Sequence, residues 1–362
     1  MKYFHHFILG IFLIFFQHSF SQVQVLSQTE QTQHQTKPRI IILATGGTIA
    51  GSGESETSAA YKAGEVPIEA LLDAVPEIHN QAKIKGEQIT NIGSQDMDIK
   101  TWLTLSNRIN EIFEADEADG VVITHGTDTM EETAYFLSLT VESNKPVVLV
   151  GAMRAATAMS QDGNRNLLDA VTVASDRKSE DIGVVVAMNE FIFDARSVEK
   201  TNTTNVSAFA SRNFGPIGVV FDNKVTYYYQ SLRQPPIKFN VRNLETLPKV
   251  DIIYGYVGQD PDMIEFSVNN ETSGIVYAGV GNGNFSIPVE MALAKAVKSG
   301  VTVCRSSRIG RGRVTLENEV DDEGLGFVVA DDLNPQKARI LLMLALTHTE
   351  DKAEIQQMFF NY

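Results

Sequence analysis

Short, uninterrupted apolar runs recur along the chain, each closing on a glycine-rich or polar turn. Ile40–Ala44 leads into Thr45-Gly46-Gly47-Thr48, and Val121–Ile123 into Thr124-His125-Gly126-Thr127-Asp128-Thr129. Val147–Val150 leads into Gly151-Ala152-Met153-Arg154, and Val184–Met188 into Asn189-Glu190. Strands that are apolar throughout, rather than alternating, belong to parallel sheets covered by helices on both faces. Between the runs, Thr129–Val141 carries Met130, Ala134, Phe136, Leu137 and Val141 at helical spacing. Val66–Ala74 and Trp102–Phe113 are further amphipathic helix candidates. Residues 227–248 break the pattern with Pro235-Pro236 at their centre, and read as an interdomain linker. The strand pattern resumes at Val250–Tyr254, Ile275–Val280 and Val301–Cys304; the last two close on Gly281-Asn282-Gly283-Asn284 and Arg305-Ser306-Ser307. The expected fold is α/β: a larger N-terminal parallel-sheet domain over 38–226, the linker, and a smaller C-terminal α/β domain over 249–362. Ligands in such sheets bind beyond the carboxyl ends of the strands, so the polar turns are where chemistry is sought.

The N-terminus departs from this grammar. Lys2, an apolar run from Phe7 to Phe16 and the small residues Ser19 and Ser21 make a secretory signal peptide over 1–21. The alternative is a retained anchor, but ten helical residues rise only about 15 Å against a bilayer core of roughly 30 Å. Residues 22–37 (QVQVLSQTEQTQHQTK) hold little to bury and read as a flexible tether. The mature protein is therefore expected to be periplasmic or secreted, with no membrane attachment once the leader is cleaved.

Composition narrows the function classes. A length of 362 residues allows about two domains, and 43% hydrophobic with 21% charged residues is ordinary globular usage. The net charge of -15 argues against nucleic acid as a partner. A single cysteine, Cys304, excludes an intrachain disulfide and a cysteine-rich zinc site. The glycine-rich turns lack GxxxxGK[ST] and GxGxxG spacing, and neither HExxH nor GxSxG is present. No metal and no organic cofactor are expected. The hydroxyl-rich turns remain: Thr45, Thr48, Thr127 and Thr129, with Asp128 among them. A hydroxyl becomes a covalent nucleophile only with a proton acceptor beside it and donors for the oxyanion. The glycines beside Thr48 let backbone N–H groups approach a substrate closely. Helix capping by Thr and Asp is the competing reading.

Several of these segments, in order, closely resemble the signatures of bacterial-type L-asparaginases, within the asparaginase/glutaminase family. The first two are Ala44–Gly51 (ATGGTIAG) and Ile123–Glu132 (ITHGTDTMEE). The resemblance continues through Asn91–Met97, Val150–Arg154, Lys200–Thr204 and Ala278–Asn284, and ends with Glu319–Asp322 and Leu333–Arg339. It covers the chain from about residue 39 onward, and with the leader it points to the exported type II subgroup. Small departures are Ala155-Ala156, where proline and serine are common, and Ala195 before Arg196, where some members carry glycine.

The resemblance implies a set of roles. Thr48 would be the nucleophile, assisted by Tyr61 on a mobile loop. Thr127, Asp128 and Lys200 would form a second cluster, with Lys200 a proton relay if burial lowers its pKa. Ser94 and nearby backbone amides would hold the α-carboxylate of a small zwitterionic substrate, and Asp128 and Gln95 its ammonium. Glu319 and Asn284 would reach in from a neighbouring subunit of a homotetramer, a dimer of intimate dimers. The side-chain amide would lie against the Thr48 and Ala152 turns. The implied reaction hydrolyses L-asparagine to L-aspartate and ammonia through a β-aspartyl-enzyme ester. A broad glutaminase-asparaginase acting also on L-glutamine is the nearest alternative, since one methylene is worth only about 1–3 kcal/mol of discrimination. Asn284 leans toward asparagine, because glutaminase-active members often carry serine there. A non-catalytic periplasmic amino-acid-binding protein is the alternative from another class.

Overall fold

The computed structural model describes residues 36–53, 61–62, 64, 66–230 and 237–362. The signal peptide, and the tether as far as residue 35, lie outside the described residues. The described residues open with β1 (Arg39–Gly46); β2 (Ser52–Gly53) and β3 (Tyr61–Lys62) make a two-residue antiparallel pairing. Helices α1 (Ile68–Asp73) and α2 (Ile78–Gln81) lead to β4 (Lys83–Ile92), followed by α3 (Ile99–Glu114), β5 (Gly120–Thr124) and α4 (Met130–Thr140). Next come β6 (Val147–Val150), α5 (Gly163–Ser175), β7 (Val184–Met188), β8 (Phe191–Asp194), β9 (Val198–Lys200), β10 (Phe209–Ser211), β11 (Gly218–Phe221) and β12 (Lys224–Tyr227).

The larger sheet has the order β12-β11-β8-β7-β6-β5-β1-β4. It is parallel from β4 through β1, β5 and β6 to β7, then turns antiparallel at β8, β11 and β12. The expected parallel sheet is thus the β4-to-β7 half only. The antiparallel strands are short, with β11 and β12 exposed or half-exposed at alternate positions, and the edge strand β4 has no fully buried residue. In the middle of the sheet alternate residues feed two cores. Leu43, Ile123, Leu149 and Val186 pack with α3 and α4, while Ile42, Val122, Val148 and Val185 pack with α5 and α1.

The second sheet, wholly parallel, has the order β13-β14-β15-β16 from β13 (Val250–Tyr254), β14 (Gly274–Gly279), β15 (Thr302–Ser307) and β16 (Val328–Val329). One face is covered by α6 (Asp262–Asn269) and α7 (Ile287–Lys298) through Ile264, Val289 and Leu293. After the short α8 (Asp322–Leu325), α9 (Pro335–Ala345) and α10 (Lys352–Asn361) cover the other face. That face shares one continuous core with the larger sheet: Val276 and Cys304 cluster with Leu341, Phe136 and Leu149. Phe239, Val241 and Leu247, in the stretch read as a linker, are buried in the same core, and Phe239 N–H donates to Leu139 O at 2.9 Å. Among the described residues, no helix is long and apolar enough to cross a membrane.

Candidate active site

The carboxyl ends of the adjacent strands β1 and β5 meet at glycine. Gly46 and Gly47 adopt φ of 107° and 81°, conformations open to glycine. A Cβ on Gly47 would overlap the backbone of Gly126, so the two turns pack main chain against main chain. This contact sets Thr48, 5% exposed and first in a 3-10 turn through Ala50, beside the second polar turn. Thr45 Oγ1 donates to Thr124 O at 2.9 Å and ties the strand ends together.

The second turn is held by Ser94, which follows β4 on the other side of β1. Ser94 Oγ accepts from Asp128 N at 3.1 Å, and Ser94 O accepts from Thr129 Oγ1 at 2.8 Å. Thr129 occupies the N-cap position of α4, yet its hydroxyl does not cap that helix. The capping reading therefore fails for Thr129, whose bond crosses to the turn that follows β4. Beneath this turn, His125 is fully buried, with Nδ1 2.6 Å from Gly126 O and Nε2 2.9 Å from Thr133 Oγ1. Trp102 Nε1 donates to that same Thr133 oxygen at 2.8 Å. The Thr133 hydroxyl is then the donor to Nε2, which leaves the proton of a neutral imidazole on Nδ1, aimed at Gly126 O. Burial pushes the His125 pKa down to about 4, against a smaller upward pull from the Gly126 carbonyl.

Lys200, at the end of β9, reaches this turn from 73 residues away: Nζ donates to Thr127 Oγ1 at 2.8 Å and to Asp128 Oδ1 at 2.6 Å. Its side chain is 14% exposed, whereas that of Asp128 is 61% exposed, so the carboxylate faces out and the ammonium is screened behind it. Because Lys200 donates to Thr127, the threonine keeps its own hydroxyl proton for another acceptor. The main chain of Lys200 is anchored as well, its N–H donating to Glu131 Oε2 at 3.0 Å. Ala152 is buried on the next turn along the sheet; a Cβ on Gly163 would meet both Ile49 and Ala152, which brings that turn against the one carrying Thr48. Asp162 accepts from Met153 N and Arg154 N at 3.0 and 2.9 Å, and Asn166 Nδ2 donates to Gly151 O at 3.0 Å.

The other candidates lie elsewhere or further out. Gln95 is exposed and donates to Asp96 Oδ2 at 3.3 Å. Tyr61 pairs in β3 with Gly53 through the backbone; its side chain lies outside the described residues. Asn284 and Glu319 meet each other at the carboxyl end of the smaller sheet, Asn284 Nδ2 donating to Glu319 Oε2, while Asn284 Oδ1 is buried without a hydrogen-bond partner. Arg305 underlies them: buried with Asp322 in an ion pair, it also donates to Asn282 O at 3.0 Å and Thr315 O at 3.1 Å. It thereby stitches the Gly281–Asn284 turn to the segment leading to Glu319.

Sequence reasoning did not single out His125, Thr133, Glu131, Asp162, Asn166 or the Arg305–Asp322 pair. The available signal was a charged residue directly closing an apolar run, as with Arg305 after Val301–Cys304. Among the described residues, no group of three His, Cys, Asp or Glu side chains is arranged to hold a metal ion.

Known proteins match the chain along most of its length. The family model for the asparaginase N-terminal domain matches residues 39–233, and that for the glutaminase/asparaginase C-terminal domain matches 249–359. The chain is 51% identical over 327 residues to L-asparaginase 2 of Escherichia coli strain K12, covering 90% of this chain and 93% of that protein. It is 53% identical, over the same length and coverage, to a probable periplasmic L-asparaginase of Haemophilus influenzae. A glutaminase-asparaginase of Pseudomonas fluorescens biotype A is 42% identical over 343 residues, covering 93% of this chain and 94% of that protein. The crystal structure of a probable cytoplasmic L-asparaginase from Campylobacter jejuni superposes with a TM-score of 0.87 at 47% identity, over 90% of this chain and all of that one.

Proposed function

The chain belongs to the asparaginase family and is an amidohydrolase acting on L-asparagine; from that premise we propose that Thr48 is its nucleophile and that Thr127, Asp128 and Lys200 serve the proton transfers. The observation that carries this is the main-chain contact between Gly47 and Gly126, which sets Thr48 beside the turn where Lys200 bonds Thr127 and Asp128. Thr48 Oγ1 attacks the side-chain amide carbon, its hydroxyl proton is passed to the amide nitrogen, which leaves as ammonia as the C–N bond breaks, and a β-aspartyl ester remains. Water then attacks the ester carbon, its oxygen joining the aspartate carboxylate and one of its protons going to Thr48 Oγ1 as the ester bond breaks. Backbone N–H groups at the Thr48 and Ala152 turns are the donors available to the developing oxyanion. Ser94 and its neighbouring amides receive the α-carboxylate, and Asp128 with Gln95 the ammonium. Pinning both charged ends holds the amide carbon near Thr48, which is the orientation component of the rate.

Tyr61 is assigned to assist Thr48 from a loop that closes on the substrate. Asn284 and Glu319 are assigned to the active site of a neighbouring protomer, in a homotetramer built of two intimate dimers. Two features support that assignment: the partnerless Asn284 Oδ1, and the exposed apolar side chains of Tyr256, Val257, Met263, Phe266, Ile287 and Met291 in the smaller domain. The leader over 1–21 assigns the enzyme to the periplasm or the outside of the cell.

Asparagine is the preferred substrate on the strength of Asn284, with glutamine a slower one. The experiment is ammonia release from asparagine and glutamine, side by side, for the wild type and Thr48→Val. The wild type should favour asparagine, and Thr48→Val should lower kcat by on the order of 10⁴ or more while the fold persists. Normal ammonia release by Thr48→Val would remove the nucleophile assignment.

A further inference from the structure

Lys337 is 1% exposed, on the first turn of a helix whose other inward residues are apolar. Its Nζ donates to three main-chain carbonyls, Ala195 O at 3.0 Å, Arg196 O at 2.9 Å and Val198 O. A lysine has three donors only as the ammonium, and all three are used. Burying that charge is costly unless every donor is met, so a leucine or methionine would be the cheaper occupant of a merely structural position. The carbonyls it meets belong to the turn between β8 and the start of β9, two residues before Lys200.

The same helical turn reaches Lys200 by a second route. Gln336 Nε2 donates to Glu131 Oε1 at 2.7 Å, and the other oxygen of that carboxylate accepts the Lys200 N–H at 3.0 Å. The turn is itself pinned, with Asn334 Oδ1 accepting from Lys337 N at 3.0 Å. Nearby, Arg196 pairs with Asp332 at 2.7 Å, both side chains buried. Thus a helix that packs on the smaller sheet grips, upstream and at its own amide, the strand end of the larger domain that carries Lys200.

We propose that Lys337 is a positioning residue for Lys200, holding the β8–β9 turn so that the Lys200 ammonium meets Thr127 and Asp128 together. This rests on the reading of Lys200 as a member of the catalytic cluster. Lys337 acts through the main chain and not on the substrate itself.

The test is a double-mutant cycle in the full-length enzyme, with Lys337→Met and Gln336→Leu each made in the wild-type and Lys200→Met backgrounds. The readings are kcat and KM for asparagine, with thermal melting alongside. Lys337→Met should lower kcat by about tenfold or more with KM within about threefold, and should cost the Lys200→Met enzyme less than about twofold, because the positioned group is already gone. Gln336→Leu, which leaves the buried charge intact, should show the same pattern at about threefold, and it carries the test if Lys337→Met does not fold. Equal fractional losses in both backgrounds, or a Lys337→Met enzyme with wild-type kcat, would overturn the proposal. A Lys200→Met enzyme with undiminished kcat would instead overturn the catalytic reading beneath it, and the proposal with that.

Discussion

Two strand ends of this molecule carry glycine turns followed by functional candidates, and they are built in opposite ways. At the larger sheet, Gly47 is pressed against the main chain of Gly126, and the candidates Thr48, Ser94, Thr127 and Lys200 are largely buried. At the smaller sheet, Gly281 has open space where a Cβ would go, and Glu319 is exposed, bonded to Asn284. The anchors differ too: a neutral buried imidazole under the first turn, a buried Arg305–Asp322 ion pair under the second. The first arrangement is held by its own packing, main chain against main chain. The second holds an exposed Glu319 against a half-buried Asn284, suited to meeting something outside its own fold.

The largest effect should come from filling the packed turn. Gly47→Ala adds a Cβ at φ 81° into the Gly126 backbone, which has no flexible side chain to yield. We expect a loss of more than about 3 kcal/mol in stability and the loss of nearly all activity. Gly281→Ala is the matched control: its φ of 52° carries strain, but nothing lies within 4 Å, so the cost should stay near 1 kcal/mol. Urea unfolding and asparagine turnover of the pair read the contrast directly. Similar costs at both positions would dissolve it.

The next effect separates the anchors by pH. His125 has its pKa pushed down to about 4 from an ordinary 6.5 by burial, so between those values the unfolded chain binds the proton and the folded one does not. The stability it confers is whole above pH 6.5 and drains away as pH falls toward 4, by about 3 kcal/mol in all. Urea unfolding at pH 7 and pH 4 should show His125→Asn to be less stable than wild type at pH 7, yet to lose about 3 kcal/mol less on acidification. An identical pH dependence in both would mean that His125 does not titrate in this way.

What could be read in advance follows the range of the forces involved. The parallel strands were legible because burial on both faces leaves a continuous apolar run, and β1, β5, β6, β7, β13, β14 and β15 all lie where such runs occur. The edge strand β4, reading KIKGEQITNI, carries no such run and was not picked out, nor were the short antiparallel strands. The Thr-Gly turns were legible as chemistry, but their partners were not. Lys200 reached the cluster through resemblance alone, because its contact with Thr127 depends on where a turn after β8 is gripped by a distant helix. The His125–Thr133–Trp102 chain draws on a turn after β5 and on helices α4 and α3, and no local pattern joins them.

The smallest effect tests whether the outward-facing pair serves another protomer. If Glu319 supplies a negative charge to the substrate ammonium, Glu319→Gln keeps the shape and removes the charge, at the cost of one charge-assisted hydrogen bond. That is about 1.5–3 kcal/mol, or a rise in KM for asparagine of roughly ten- to hundredfold, with kcat changed far less. The loss should fall on every site even though Thr48, Thr127 and Lys200 are untouched. Because the charge would come from a neighbour, mixing the variant with an excess of a Thr48→Val chain, whose Glu319 is intact, should restore low-KM turnover at sites of mixed parentage. A KM that stays raised in the mixed oligomers would place Glu319 in its own chain's site, and a KM unchanged in Glu319→Gln would place it in none. The second result would make Glu319 an ornament of the smaller domain, and would leave the packed turn of the larger sheet to bind the substrate without it.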